Sequence, residues 1–122
     1  MIASINDLIL QIDFFDAPTN SFKDKLNFTY TAKAWSEMKA FALSLQFSPW
    51  SPFAKDLTER NKLKTILANM GDAPVLPDGS QNGVATSGAA LSAISGYKIA
   101  LQNIRTTLTE TYNFSTELAA VW

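Results

Sequence analysis

Two serines stand three residues ahead of a lysine, in Ser36-Glu37-Met38-Lys39 and Ser95-Gly96-Tyr97-Lys98. On a helix this spacing can set an amine beside a hydroxyl, so that the lysine serves as base for a serine nucleophile. The companion motifs of such enzymes are absent, and Ser and Lys are common enough in the chain for the spacing to arise by chance. Asp78-Gly79-Ser80-Gln81-Asn82-Gly83 carries oxygen ligands at the first, third and fifth positions and glycine at the sixth, like the first half of a calcium loop. Its twelfth position is Ala89, where a bidentate glutamate is needed. A turn built from Gly, Asn and Asp explains the same residues, and no metal is expected.

The carboxylate pairs Asp13 with Asp16 and Asp56 with Glu59 could in principle divide acid and base roles. Both lie in polar surroundings with little sign of the desolvation that catalysis requires. Histidine is absent, which removes the commonest general base and metal ligand, and cysteine is absent, which removes thiolate chemistry and disulfides. No phosphate-binding glycine loop and no dinucleotide fingerprint occurs. Neither catalysis nor a cofactor is expected. Asn27-Phe28-Thr29 and Asn113-Phe114-Ser115 fit the glycosylation sequon, again at about chance frequency.

Charge narrows the partners. The formal net charge is -1, so there is no overall basic field for nucleic acid. Residues 1–22 hold Asp7, Asp13 and Asp16 and no cation, whereas residues 23–64 hold eight of the ten cations against four acids. Lys55, Arg60, Lys62 and Lys64, with Lys33 and Lys39 and a stacking ring from Trp50 or Phe53, make a weak nucleic-acid pattern that Asp56 and Glu59 interrupt. The N-terminus lacks the basic start of a secretory signal, and no run of apolar residues is long enough for a spanning helix. An intracellular or particle-associated protein is expected.

The elements that would carry these residues read as helices. The 122 residues, 47% hydrophobic and 17% charged, fit one globular domain over 1–122. Ile5, Leu8, Ile9 and Ile12 predict a helix over 4–13 with Ser4 as its cap. Phe22, Leu26, Tyr30, Ala34, Met38, Phe41 and Leu45 predict a second helix from Asn20 or Ser21. Residues 26–34 also alternate as a strand would, but no second alternating segment offers them a partner. Ser51 and Pro52 suit the start of a third helix, with Asp56 placed to pair with Arg60 and Gly71 placed to end it. A loop over 71–87 follows, and then a long C-terminal helix over about 87–121 that Asn113-Phe114-Ser115 could break or bend before Thr116. The expected fold is all-α, a bundle of about four helices.

The last helix has two unlike faces. Leu91, Ile94, Tyr97, Leu101, Ile104 and Leu108 share one side, and Gly88, Ser92, Gly96 and Ala100 recur every fourth residue on the other. Small residues so spaced admit a second helix closely, either from the same chain or from a partner. Phe47, Trp50 and Phe53 sit on a stiff turn with Pro49 and Pro52, where they either plug the bundle end or anchor a partner, and Trp122 stands at the end of the sequence. These residues define a candidate protein interface. The functional expectation is a non-enzymatic structural or assembly protein, self-associating or built into a larger particle such as a virion. The alternatives are a monomeric helical regulator (an inhibitor, adaptor or chaperone) of one protein partner, and a bundle with an aromatic pocket for a small ligand.

Overall fold

A computed structural model describes residues 1–16, 18, 19, 21–76, 80, 81 and 90–122. The protein is all-α, with five α-helices and one two-stranded sheet among the described residues. Helix α1 spans Ile2–Ile12 and buries Ile2, Ile5, Leu8 and Ile12. It begins ahead of Ser4, which lies buried inside it and does not cap it. Strands β1 (Phe15–Asp16) and β2 (Ser21–Phe22) then pair antiparallel, with Phe15 opposite Phe22. The two rings meet edge to face at 5.7 Å. So the expected helix start at Asn20 or Ser21 is replaced by a hairpin, whose partner strand was too short to show alternation.

Helix α2 runs Lys25–Ser44, and its N-cap is Asp24, whose carboxylate accepts from the Asn27 amide at 2.7 Å. Its buried line is Thr31, Ala34, Met38 and Ala42, while Leu26, Tyr30 and Phe41 from the expected stripe lie exposed. The physical reason is phase. Four residues turn a helix by about 400°, so a repeat of four drifts about 40° per step and winds from the solvent face at Leu26 and Tyr30 to the core face at Ala34 and Met38. In the last long helix the steps mix three and four, the average stays near the helical period, and the reading holds.

Pro52–Ala54 forms a 3-10 turn, and helix α3 (Leu57–Asn69) starts only after it. The Asp56 carboxylate accepts from the Glu59 amide at 3.0 Å as N-cap, so it does not form the pair with Arg60 that its spacing suggested. Gly71 ends α3 at φ 72, the left-handed conformation that glycine adopts without a side-chain clash.

The end of α3 is the polar centre of the fold. The Met70 carbonyl accepts from Trp35 Nε1 at 2.8 Å, Gln81 Nε2 at 3.0 Å and the Tyr97 hydroxyl at 3.2 Å. Lys39 Nζ donates to the Leu67 and Gly71 carbonyls at 3.0 and 2.6 Å, with Asp72 3.8 Å away. The last carbonyls of a helix have no partner within it, and a cation is favoured beside them.

Helix α4 spans Ala90–Tyr112, about 35 Å at 1.5 Å per residue. Ile94, Tyr97, Leu101, Ile104 and Leu108 enter the core, which joins α1, α2 and α3 in one buried cluster. Of the two outcomes expected at Asn113-Phe114-Ser115, the helix breaks, at Asn113 with φ 54. The Phe114 amide donates to the Thr109 carbonyl at 2.9 Å and the Asn113 amide to Glu110 at 3.2 Å, the two bonds of a Schellman stop. Helix α5 (Thr116–Val121) then turns back, N-capped by the Ser115 hydroxyl. Asn6 on α1 holds it: Nδ2 donates to the Ala119 and Trp122 carbonyls at 2.9 Å each, and Oδ1 accepts from Arg105 at 2.6 Å.

Burial penalises the Tyr97 phenolate and raises the pKa of its hydroxyl well above the ordinary value. An unfolded tyrosine titrates near about pH 10. Because the folded value is the higher one, this stabilisation is complete below the unfolded pKa and is lost as pH climbs above it. Tyr97→Phe should cost about 1 kcal/mol at neutral pH and flatten the alkaline loss of stability. Urea titrations at neutral and strongly alkaline pH check this, and an unchanged alkaline slope would refute it. Asn6→Ala should cost about 2 kcal/mol in the same assay, because two helix-end carbonyls and Arg105 lose a partner.

Candidate functional site

The structure separates the residues that could have done chemistry together. The Ser36 hydroxyl donates to its own helix at the Lys33 carbonyl, 2.8 Å, while Lys39 reaches the end of α3. Lys98 pairs with Asp13 at 2.5 Å, so it does not attend Ser95. Asp56 is occupied as a helix cap, and Glu59 binds Lys62 at 2.6 Å. Residues 77–79 and 82–89, which hold most of the calcium-like sequence, lie outside the described residues. Among the cations considered for nucleic acid, Lys33 pairs with Glu37, Lys62 with Glu59, and Lys39 is internal with a side chain 15% exposed. No helix among the described residues is long and apolar enough to cross a membrane.

The expected interface residues divide sharply. Trp50 is 92% exposed and Phe47 is 80% exposed. Phe53 is 1% exposed, which fits the plug rather than the anchor among its two expected roles. The 3-10 turn points its ring inward onto Tyr112, with centroids 6.0 Å apart. Trp122 is partly exposed and meets Phe114 edge to face at 5.2 Å. On the small-residue row, Gly88 lies outside the described residues, and Ser92 belongs to α4 with its surroundings undescribed. Gly96 is exposed, and a Cβ placed there would meet nothing within 4 Å. Ala100 is half-buried. Among the described residues the row therefore packs against no helix at Gly96, and its four-residue repeat rotates Ala100 toward the bundle for the reason given for α2.

What the structure does gather is an apolar end of the bundle. Phe53, Tyr112, Phe114 and Trp122 form a continuous row of ring contacts, with Tyr112 and Phe114 stacked at 5.6 Å. Phe47, Trp50, Leu57, Phe114, Leu118, Val121 and Trp122 are seven of the fifteen large hydrophobics exposed among the described residues, and they belong to the 47–57 and 114–122 segments that supply Phe53, Phe114 and Trp122 to this row. Two grooves open there. One, of about 330 Å³, is lined by Ile2, Leu45, Leu108, Tyr112, Phe114 and Trp122. The other, of about 280 Å³, has Leu45, Leu63 and Leu67 among its walls and Arg60 and Lys64 on its rim. Leu45 belongs to both.

Two features here escaped the sequence reading. Leu57, Arg60 and Lys64 fall on one face of α3 at helical spacing, which is a readable pattern once Asp56 is recognised as the cap. Leu118 and Val121, three apart, form the outer face of α5, which was hidden while α5 was taken as the end of a longer helix. The Ser115 hydroxyl, 2.6 Å from the Glu117 carboxylate on α5, holds that carboxyl below its ordinary pKa and thus ionised at neutral pH.

A larger groove of about 460 Å³ separates α3 from α4 and is lined by Asn61, Thr65, Asn69, Asn103 and Thr107. The Thr65 and Thr107 hydroxyls each donate to their own helix at 3.0 Å, to Asn61 and Asn103, so the groove presents amides with no cluster of reactive groups. Compared with known proteins, the chain matches no protein family, no curated protein and no solved structure.

Gly96→Ala tests the small-residue row directly. With open space beside Gly96, the substitution should raise stability by roughly 0.5–1 kcal/mol through helix propensity alone. Thermal melts of the isolated protein read this, and a loss of stability would mean that the row is packed.

Proposed function

We propose that the protein is a non-enzymatic structural or assembly protein that works by binding another protein chain through the apolar end of its bundle. The carrying observation is Trp50, 92% exposed on a turn stiffened by Pro49 and Pro52. Single exposed apolar side chains are ordinary on a protein surface, but a contiguous set is the mark of a contact surface. Here Phe47 and Trp50 lie in the chain between Gln46 and Phe53, which line one of two apolar grooves, and Phe53 begins the row of ring contacts. Aromatic anchors held on a pre-organised turn lose little conformational entropy when a partner covers them, which is why they dominate interface energetics.

Structural or particle assembly, of which a virion component is one example, fits this reading because such proteins act by contact and require no reaction centre. Regulation of a single partner would use the same surface, and the two differ in stoichiometry. Replacing Trp50 and Phe47 together by alanine should weaken association by about 2 kcal/mol, roughly thirtyfold. Since both side chains are largely outside the core, the melting temperature should change little. Sedimentation velocity with parallel thermal melts measures both quantities. Association of undiminished strength in the variant would refute the proposal.

A further inference from the structure

We infer that the partner at the apolar end is a second copy of this chain, docked about a two-fold axis so that α5 of each copy lies in the α2–α3 groove of the other. The inference rests on the association reading above and names its partner.

Charge complementarity carries the choice of occupant. Arg60 and Lys64 form no ion pair among the described residues, unlike Lys33, Lys39, Lys62 and Lys98. Arg60 makes only a long 3.5 Å bond to the Ala54 carbonyl. The groove beneath them therefore combines an apolar floor with two uncompensated positive charges. Its natural occupant is a short helix with aliphatic side chains on its face and a carboxylate beside them. The chain supplies one. On α5, Val121 is 78% exposed, Leu118 is also exposed, and Glu117 faces solvent with the Ser115 hydroxyl as its partner. Leu118 and Val121 lie three residues apart and would enter between Leu45, Leu63 and Leu67, placing Glu117 toward Arg60 and Lys64.

Continuity explains why the symmetry is two-fold. A two-fold interface needs donor and acceptor surfaces side by side on the same face, because each copy must present both. The α2–α3 groove and the groove between α1, α4 and the residues flanking α5 share Leu45, and the row Phe53–Tyr112–Phe114–Trp122 bridges them. Both halves of the contact are therefore on one end of the bundle. Each ionic contact then occurs twice per dimer, so any single substitution acts twice.

Sedimentation equilibrium of the full chain and of two charge-reversed variants tests the inference. The wild type should reach twice the chain mass and stop there. Arg60→Glu with Lys64→Glu in one variant, and Glu117→Lys in the other, should each weaken self-association by about tenfold, since exposed pairs are individually modest but doubled here. Mixed together, the two variants should recover most of the lost affinity, because each groove then faces an α5 of opposite charge. Val121→Asp, which leaves the pairs in place and puts a carboxylate on the apolar contact, should also weaken the dimer. Mass growing past the dimer would overturn the two-fold arrangement. Charge reversals without effect, in a protein whose association Trp50→Ala still weakens, would overturn α5 as the occupant and leave the association reading standing. A wild type that stays monomeric at millimolar concentration would overturn the second copy as partner.

Discussion

The fold is organised around the need to satisfy the carbonyls at the end of α3. Helix ends leave such groups without intrahelical partners, and burying them unpaired costs about 1–3 kcal/mol each. Here the end of α3 is drawn inside, and each neighbouring element contributes a donor. Trp35 and Lys39 come from α2, Tyr97 from α4, and Gln81 from the segment that joins them. Lys39 takes over the Leu67 carbonyl, the position a backbone amide would occupy in a complete Schellman stop. Apolar packing alone would leave the helices free to slide past one another. Convergence on a single carbonyl sets their relative height, and the rest of the bundle inherits that registration.

From this anchored region the two ends of the bundle acquire different characters. Around the hairpin, Phe15, Phe22 and Phe28 pack on one another and Lys98 pairs with Asp13. At the opposite end the apolar residues are not closed over. The chain places Pro49, Pro52 and the Schellman stop at Asn113 there, and these interrupt helices in ways that leave side chains projecting. The same constraint that fixes the interior thus delivers an open apolar end of fixed shape, which is what a pre-organised contact surface requires.

Much of this was legible in the residue order where spacing matched helical period. The core face of α4 follows from Ile94, Tyr97, Leu101, Ile104 and Leu108, whose mixed steps of three and four hold phase. Gly71 as the stop of α3 follows from its type. The stripe from Phe22 to Leu45 failed because a repeat of four drifts, and the hairpin failed because two-residue strands carry no periodic pattern. Exposure of Trp50 and burial of Phe53 were beyond the sequence for a different reason. Both are aromatic residues on the same short turn, and only the direction of the 3-10 turn decides which ring faces inward. The apolar end is assembled from residues far apart in sequence, so no local pattern could announce it.

That separation has a bearing on when the surface exists. Asn6 and the carbonyl of Ala119, joined by one hydrogen bond, are 113 positions apart. The groove beside them takes walls from Ile2, Leu45, Leu108 and Trp122. A chain still emerging during synthesis has α1, α2 and the α3 anchor available well before α5 can return to Asn6. Until it does, the apolar end has neither its acidic helix nor its second groove. On the proposed reading of that end as a contact surface, association would wait until α5 has reached Asn6.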